Sequence, residues 1–315
     1  MEVYGLGFSI RPRRGRVEVK SELGSELLHP SSLILVAGVG RLKSSTVEMI
    51  AEAGGLLAFR RGFRVVRLDY TGSRQAALLR AQLSAYDDSE KCLELAHSFV
   101  KASTLNKLWI LEALENQGFN VNAQIGEVRE LLSVKPSSRS ELRRLEARIA
   151  KSYFEALREV LDPSYGFEAR TRRPPKDCFS AALSYAYVKL YAYCEAALKS
   201  AGLDVRVGFL HEPFRHRASL ALDLAEEFRQ PVVDAALLTL FTGRALSPQR
   251  DFRRDGEAVL LGVAGRAKVD RAMRRRLDLK VRGSSLLDWI YSQALKLADC
   301  LLGGGQYEPF TLYTS

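Results

Sequence analysis

Residues 203–234 read LDVRVGFLHEPFRHRASLALDLAEEFRQPVVD. An apolar run, Val207-Gly208-Phe209-Leu210, is closed by His211, and eight residues later a helical pattern starts at Ser219 with Leu220, Leu224 and Phe228 on one side. Asp223, Glu226 and Glu227 fall three and four residues apart in that pattern, so a regular helix carries them on one face. Carboxylates on a leucine-rich helix are costly to bury unless positive charge meets them. A histidine beside such carboxylates offers a mixed nitrogen and oxygen donor set, which suits a hard or borderline divalent ion.

Upstream, the helical period holds from about Arg80. Leu95, Phe99 and Val100, then Leu108, Ile110, Leu111 and Leu114, fit helices, with Asp87-Asp88-Ser89 as a junction and Gly118 as a break. Val134 to Ser138 reads as a loop, after which Ser140 is expected to cap a long helix through Leu142, Leu145, Ile149, Leu157 and Val160. Arg143, Arg144, Arg148, Lys151 and Arg158 share its other face, as a solvated basic face or a phosphate-contacting one. Glu146 lies beside the leucine stripe next to the small Ala147 and Ala150, where a ligand or backbone can come close.

The loop 165–177, YGFEARTRRPPKD, places Arg170, Arg172 and Arg173 before paired prolines. Arginines on a stiff, extended loop make bidentate phosphate forks at low entropic cost. Asp177 is expected to cap a tyrosine-rich helix from Ala181 to Leu198, stopped at Gly202, whose aromatic residues read as core before stacking platform. Downstream, Ala235–Phe241 continues helical, and residues 251–269 read as a polar hairpin turning at Asp255-Gly256. A final amphipathic helix, Leu286 to Leu302, ends at Gly303.

The first seventy or so residues differ in period: Val17-Glu18-Val19-Lys20 alternates, Leu33 to Val36 is a short apolar run, and Phe63 to Leu68 is another strand. A short helix from Ser44 to Gly54-Gly55 separates them. The expectation is an α+β chain of two domains, a small β-rich, β-sandwich-like domain at 1–78 and a larger all-α domain at 79–315. Gly38-Val39-Gly40-Arg41-Leu42-Lys43-Ser44 imitates a phosphate-binding loop, but Leu42 stands where glycine must precede the lysine, and Lys43 occupies the third glycine of a dinucleotide fingerprint. The segment reads as a turn between strand and helix, and the reaction is expected to use neither ATP nor NAD.

Composition sets the class of partner. The 315 residues carry 47 Lys and Arg against 37 Asp and Glu, a net charge of +10, which favours polyanions, nucleic acid first. Four cysteines, Cys92, Cys178, Cys194 and Cys300, are scattered without CxxC spacing, the usage of a reduced, cytoplasmic protein. No apolar run approaches the roughly 20 residues of a membrane-spanning helix, and no secretory leader opens the sequence.

Taken in order, several segments resemble the CRISPR-associated integrase of spacer acquisition, the first-numbered Cas protein. They are LEARIAKSYFEAL (145–157), GFEARTRRPPKDCFSAALSYAY (166–187), GLDVRVGFLH (202–211), SLALDLAEEFRQPVVD (219–234) and LLGGGQYEPF (301–310). The departures are Ala147 and Ser180, where glycine and asparagine are usual, and Arg148, where a small residue is usual. The resemblance implies a β-rich domain hinged to a helical catalytic domain, with Mn²⁺ or Mg²⁺ held by Glu146, His211 and Glu226. Asp223 is then the carboxylate that supports the site or contacts DNA. It further implies insertion of short foreign DNA by attack of a 3′-hydroxyl on a phosphodiester, with nicking or disintegration of branched DNA as related outcomes. Arg143, Arg148, Arg172 and Arg173 are expected to hold phosphates. The expected unit is a homodimer, and the resemblance implies two such dimers bridged by the small second-numbered Cas protein. The alternatives are a structure-selective nuclease without integration and a non-catalytic nucleic-acid scaffold.

Overall fold

A computed structural model describes residues 2–3, 6–21, 24–30, 33–36, 39–53, 56–61, 64–68 and 73–313. Its strand-rich part runs β1 (Glu2–Val3), β2 (Leu6–Arg13), β3 (Arg16–Ser21), β4 (Gly24–Leu28), β5 (Leu33–Val36), β6 (Val39–Leu42), α1 (Ser44–Glu52), β7 (Leu56–Arg61) and β8 (Arg64–Leu68). The strands form two sheets, ordered β4-β3-β2-β6 and β1-β5-β7-β8. Alternation along β3 sends Val17 and Val19 into a core shared with Phe8, Ile10, Ile34, Val36, Ile50 and Leu57. Glu18 points the other way and is covered by Arg11, its cross-strand partner, and by Arg13. Residues 39–42, expected to turn, instead form β6, parallel to β2. Gly38, Gly54, Gly55 and Phe63 lie outside the described residues.

Helices follow: α2 (Ser73–Asp87), α3 (Ser89–Glu115), α4 (Asn122–Leu132), α5 (Arg139–Val160), α6 (Cys178–Ser200), α7 (Ser219–Ala225), a π-helical turn (Arg229–Asp234) and α8 (Ala235–Thr242). Then come α9 (Pro248–Asp251), the hairpin β9 (Phe252–Asp255) and β10 (Ala258–Leu261), α10 (Val263–Leu277), β11 (Lys280–Val281), β12 (Ser284–Ser285) and α11 (Leu286–Leu301). The division expected between residues 78 and 79 falls inside α2. The expected junction holds, because Asp88 caps α3 by accepting from the amides of Glu90 and Lys91. The cap of α5 is Ser138, not Ser140, its side chain accepting from the Glu141 amide. Of residues 251–269, only 252–261 form the hairpin. After Gly262 the chain turns helical, with Val269, Met273 and Leu277 of α10 buried.

α6 is the central post of this second part. Its buried alanines at 181, 182, 186, 196 and 197 allow close approach, and it packs against α7, α10 and α11. As expected, Asp177 caps it, and Gly202 ends it with φ of 89°. The helical core is continuous from Leu78 to Phe310, so α3, α5, α6 and α7 are fixed relative to one another.

Candidate active site

The site begins at a close approach that only glycine permits. A Cβ on Gly208 would sit 2.5 Å from the His211 carbonyl oxygen and 2.8 Å from the Ser219 backbone carbon. The 207–211 run therefore folds directly onto the start of α7. There the fully buried Asp223 accepts hydrogen bonds from the amides of Phe209 (2.6 Å), Leu210 (3.1 Å) and His211 (2.9 Å), and its Oδ1 lies 2.8 Å from His211 Nδ1. With Nδ1 engaged, Nε2 is the nitrogen left for a ligand. Burial works against the protonated imidazole, but the hydrogen bond and charge of Asp223, with Glu226 beyond, hold His211 above the usual histidine range.

Glu226 is 1 % exposed. Its Oε1 pairs with Arg229 Nη1 at 2.5 Å, and its Oε2 accepts from Ser103 Oγ at 2.9 Å. Burial raises its pKa, yet the charges of Arg229, Lys107 and His211 prevail and hold it below the ordinary glutamate range. Arg229 also lies over the rings of Tyr187 and Tyr191, at 5.3 and 5.7 Å. Both tyrosines face the same cavity as Arg229, so the aromatic helix contributes to core and site together.

Glu146, half-buried on α5, lines that cavity, of about 510 Å³, with His211, Lys107, Arg170, Arg172, Arg173 and Arg217. Ser180 holds the arginine loop by accepting from the Thr171 amide at 3.1 Å, and Arg170 is tied back to Ser184 Oγ at 3.0 Å. Arg172 and Arg173 stand on the cavity wall. Arg143 is exposed and paired at 2.9 Å with Glu212, just after His211, whereas Arg148 is exposed and does not line the cavity.

The shared carboxylate face does not form. Asp223 is spent on the 209–211 amides and Glu226 on Ser103 and Arg229. Glu227 turns to the C-terminal segment, where it accepts from the Tyr307 hydroxyl and, at 2.7 Å, from the Phe310 amide. Burial pushes Glu227 up to about 8. The cause is local: α7 ends at Ala225 and the chain passes into the π-helical turn, so the regular 100° step is lost.

Among the described residues, no three His, Cys, Asp or Glu side chains surround one point. Glu146 and His211 open on the cavity, and Glu226 stands behind it with both oxygens engaged. An imidazole of fixed tautomer with two carboxylates is nevertheless the donor chemistry of a divalent-cation site. Lys107 and Arg229 each feel the charge of both Glu226 and Glu146, which puts all four groups in one electrostatic neighbourhood. Lys107, Ser103, Arg217 and Arg229 belong to the site although the sequence reading passed over them. Among the described residues no helix is long and apolar enough to cross a membrane.

Comparison with known proteins agrees with this architecture. The family model described as CRISPR associated protein Cas1 matches residues 5–275. A CRISPR-associated endonuclease Cas1 of Thermus thermophilus is 39% identical over 248 residues, covering 75% of this chain and 73% of that one. Another from the same organism is 33% identical over 95% of this chain and 92% of its own length. Among solved structures, a casposase bound to integration product aligns at a TM-score of 0.81 with 22% identity, covering 100% of this chain and 98% of that one. A chain of a partial Cas6-RT-Cas1–Cas2 complex aligns at 0.84 with 20% identity, covering 100% and 99%. The chain therefore belongs to the Cas1 family of CRISPR-associated proteins.

Proposed function

We propose that this chain is a divalent-metal-dependent DNA endonuclease and strand transferase of CRISPR adaptation, inserting short DNA segments into the repeat array. The observation that carries this reading is the pairing of Glu146 with an Asp223-oriented His211 on one arginine-lined cavity. It accords with relatives that are CRISPR-associated endonucleases and with a neighbour in fold that is a casposase bound to integration product.

Glu146, His211 and Glu226 would hold Mn²⁺ or Mg²⁺, which supplies Lewis-acid polarisation of the phosphodiester and stabilises charge on the entering and leaving oxygens. Asp223 keeps the imidazole in the tautomer that presents Nε2. Arg172 and Arg173 on the stiff loop, with Arg143 and Arg148 on α5, hold DNA phosphates. The incoming 3′-oxygen bonds to the scissile phosphorus as the bond to the target's 3′-oxygen breaks. The proton lost by the attacking hydroxyl is balanced by one gained at the departing oxygen. One phosphodiester replaces another, so no nucleotide cofactor is required.

Two inserted ends at a fixed spacing call for two sites. The active assembly is accordingly read as cytoplasmic, two homodimers bridged by the second-numbered Cas protein. Within it, residues 1–78 provide dimer and partner contacts and 79–315 the catalytic domain. The test is an integration assay with a labelled duplex, supercoiled target, Mn²⁺ and the bridging protein. Wild type should join the duplex 3′ end to the target, and Glu146→Ala and His211→Ala should lose joining by a hundredfold or more. Equal joining by wild type and Glu146→Ala would rule out the assigned site, and products with free ends only would mark a nuclease without integration.

A further inference from the structure

Ser103 and Lys107 stand one turn apart on α3, at 0 % and 4 % exposure, under the Glu226 carboxylate. Lysine is seldom buried this far without a partner. The Lys107 ammonium donates to Ser103 Oγ at 2.6 Å; burial holds its pKa below the ordinary lysine range, against the opposing charges of Glu226 and Glu146. An ammonium can only donate, so Ser103 Oγ must accept there. The single serine proton is then left for Glu226 Oε2, 2.9 Å away. The two cations beside Glu226 thus differ in kind. Arg229 sits directly on Oε1, whereas Lys107 is kept one hydroxyl away from Oε2.

Resting on the reading of Glu226 as a metal-holding residue, we infer that Ser103 is a positioning residue. It spaces the Lys107 ammonium off Glu226 and orients Oε2, so that the lysine balances the buried charge without occupying the carboxylate that a divalent cation needs. Without the hydroxyl, the Lys107 ammonium can close directly on Glu226, and it becomes a competitor for the cation's place.

The experiment is a Mn²⁺ titration of the full-length protein without DNA, read by electron paramagnetic resonance, on wild type, Ser103→Ala, the Ser103→Ala/Lys107→Met double variant and Glu146→Ala. Ser103→Ala should weaken Mn²⁺ binding roughly ten- to a hundredfold, the usual effect of losing a group that orients a metal ligand. Removing the freed lysine in the double variant should restore affinity towards wild type. Lys107→Met alone controls for the loss of a nearby positive charge: a gain in affinity on removing the lysine from Ser103→Ala that exceeds the gain on removing it from wild type separates this role from a structural one. Wild-type affinity in Ser103→Ala, or a double variant no tighter than Ser103→Ala, overturns the inference while the metal reading stands. Mn²⁺ binding unaffected in Glu146→Ala, or absent from wild type, overturns both.

Discussion

At the scale of single residues, Asp223 carries the largest share of local order. One carboxylate accepts from three consecutive amides and faces the Nδ1 of His211. Asp223→Asn keeps the shape but replaces one acceptor oxygen with a donor that meets other donors. The expected cost is about 2 kcal/mol in urea unfolding, together with a ten- to hundredfold loss of strand transfer. Full activity in a folded Asp223→Asn protein would show that the imidazole needs no such partner. The sequence exposes this residue's neighbourhood, because His211 closes an apolar run and Asp223 interrupts a leucine stripe. It hides Lys107 and Ser103. Polar residues along a helix are ordinarily read as its solvated face, yet Ser103, Thr104, Asn106 and Lys107 are all buried in the middle of α3. Thr104 and Lys107 bond within the helix, to the Val100 carbonyl and Ser103, whereas the partners of Ser103 and Asn106, which are Glu226, the Glu227 carbonyl and the C-terminal segment, lie more than 100 residues away in sequence and exist only once the chain has folded.

At the scale of elements, periodicity identified the long helices, while short-range geometry decided their ends. Two serines near the start of α5 could have capped it, and the structure selects Ser138, whose φ and ψ of −149° and 158° are extended and whose side chain accepts from the Glu141 amide. Ser138→Ala should therefore lower stability by about 1 kcal/mol in urea denaturation, whereas Ser140→Ala should change it by less than about 0.5 kcal/mol. The reverse order would return the cap to Ser140. A similar limit applies to the end of α7. Nothing in the spacing of Asp223, Glu226 and Glu227 announces that the helix stops at Ala225, and that stop sends Glu226 towards Ser103 and Arg229 and Glu227 towards Tyr307. At β6 the glycine that reads as a turn is needed for a different contact. A Cβ on Gly40 would collide with the Phe8 carbonyl oxygen on the neighbouring strand.

At the scale of the molecule, the net charge is +10, and five arginines, at 170, 172, 173, 217 and 229, line the cavity that also holds Glu146 and His211, Arg229 being paired with Glu226. Each arginine that neutralises a phosphate releases a counterion, so the logarithm of DNA affinity falls linearly with the logarithm of salt, by close to one unit of slope per contact on duplex DNA. Replacing both Arg172 and Arg173 with glutamine should make that slope shallower by roughly two, with affinity lost evenly across DNA sequences. Arg158→Gln provides the contrast: Arg158 is exposed at the far end of α5 and already paired with Glu159 at 2.8 Å. Its loss should leave the slope unchanged, since it stands off the cavity wall, ten residues along α5 from Arg148. Fluorescence anisotropy of a labelled duplex across a salt series distinguishes the two. If Arg158→Gln flattened the slope as much as the double variant, the attraction would belong to net charge spread over the surface, and the arginine-lined cavity would have no special claim on the phosphates.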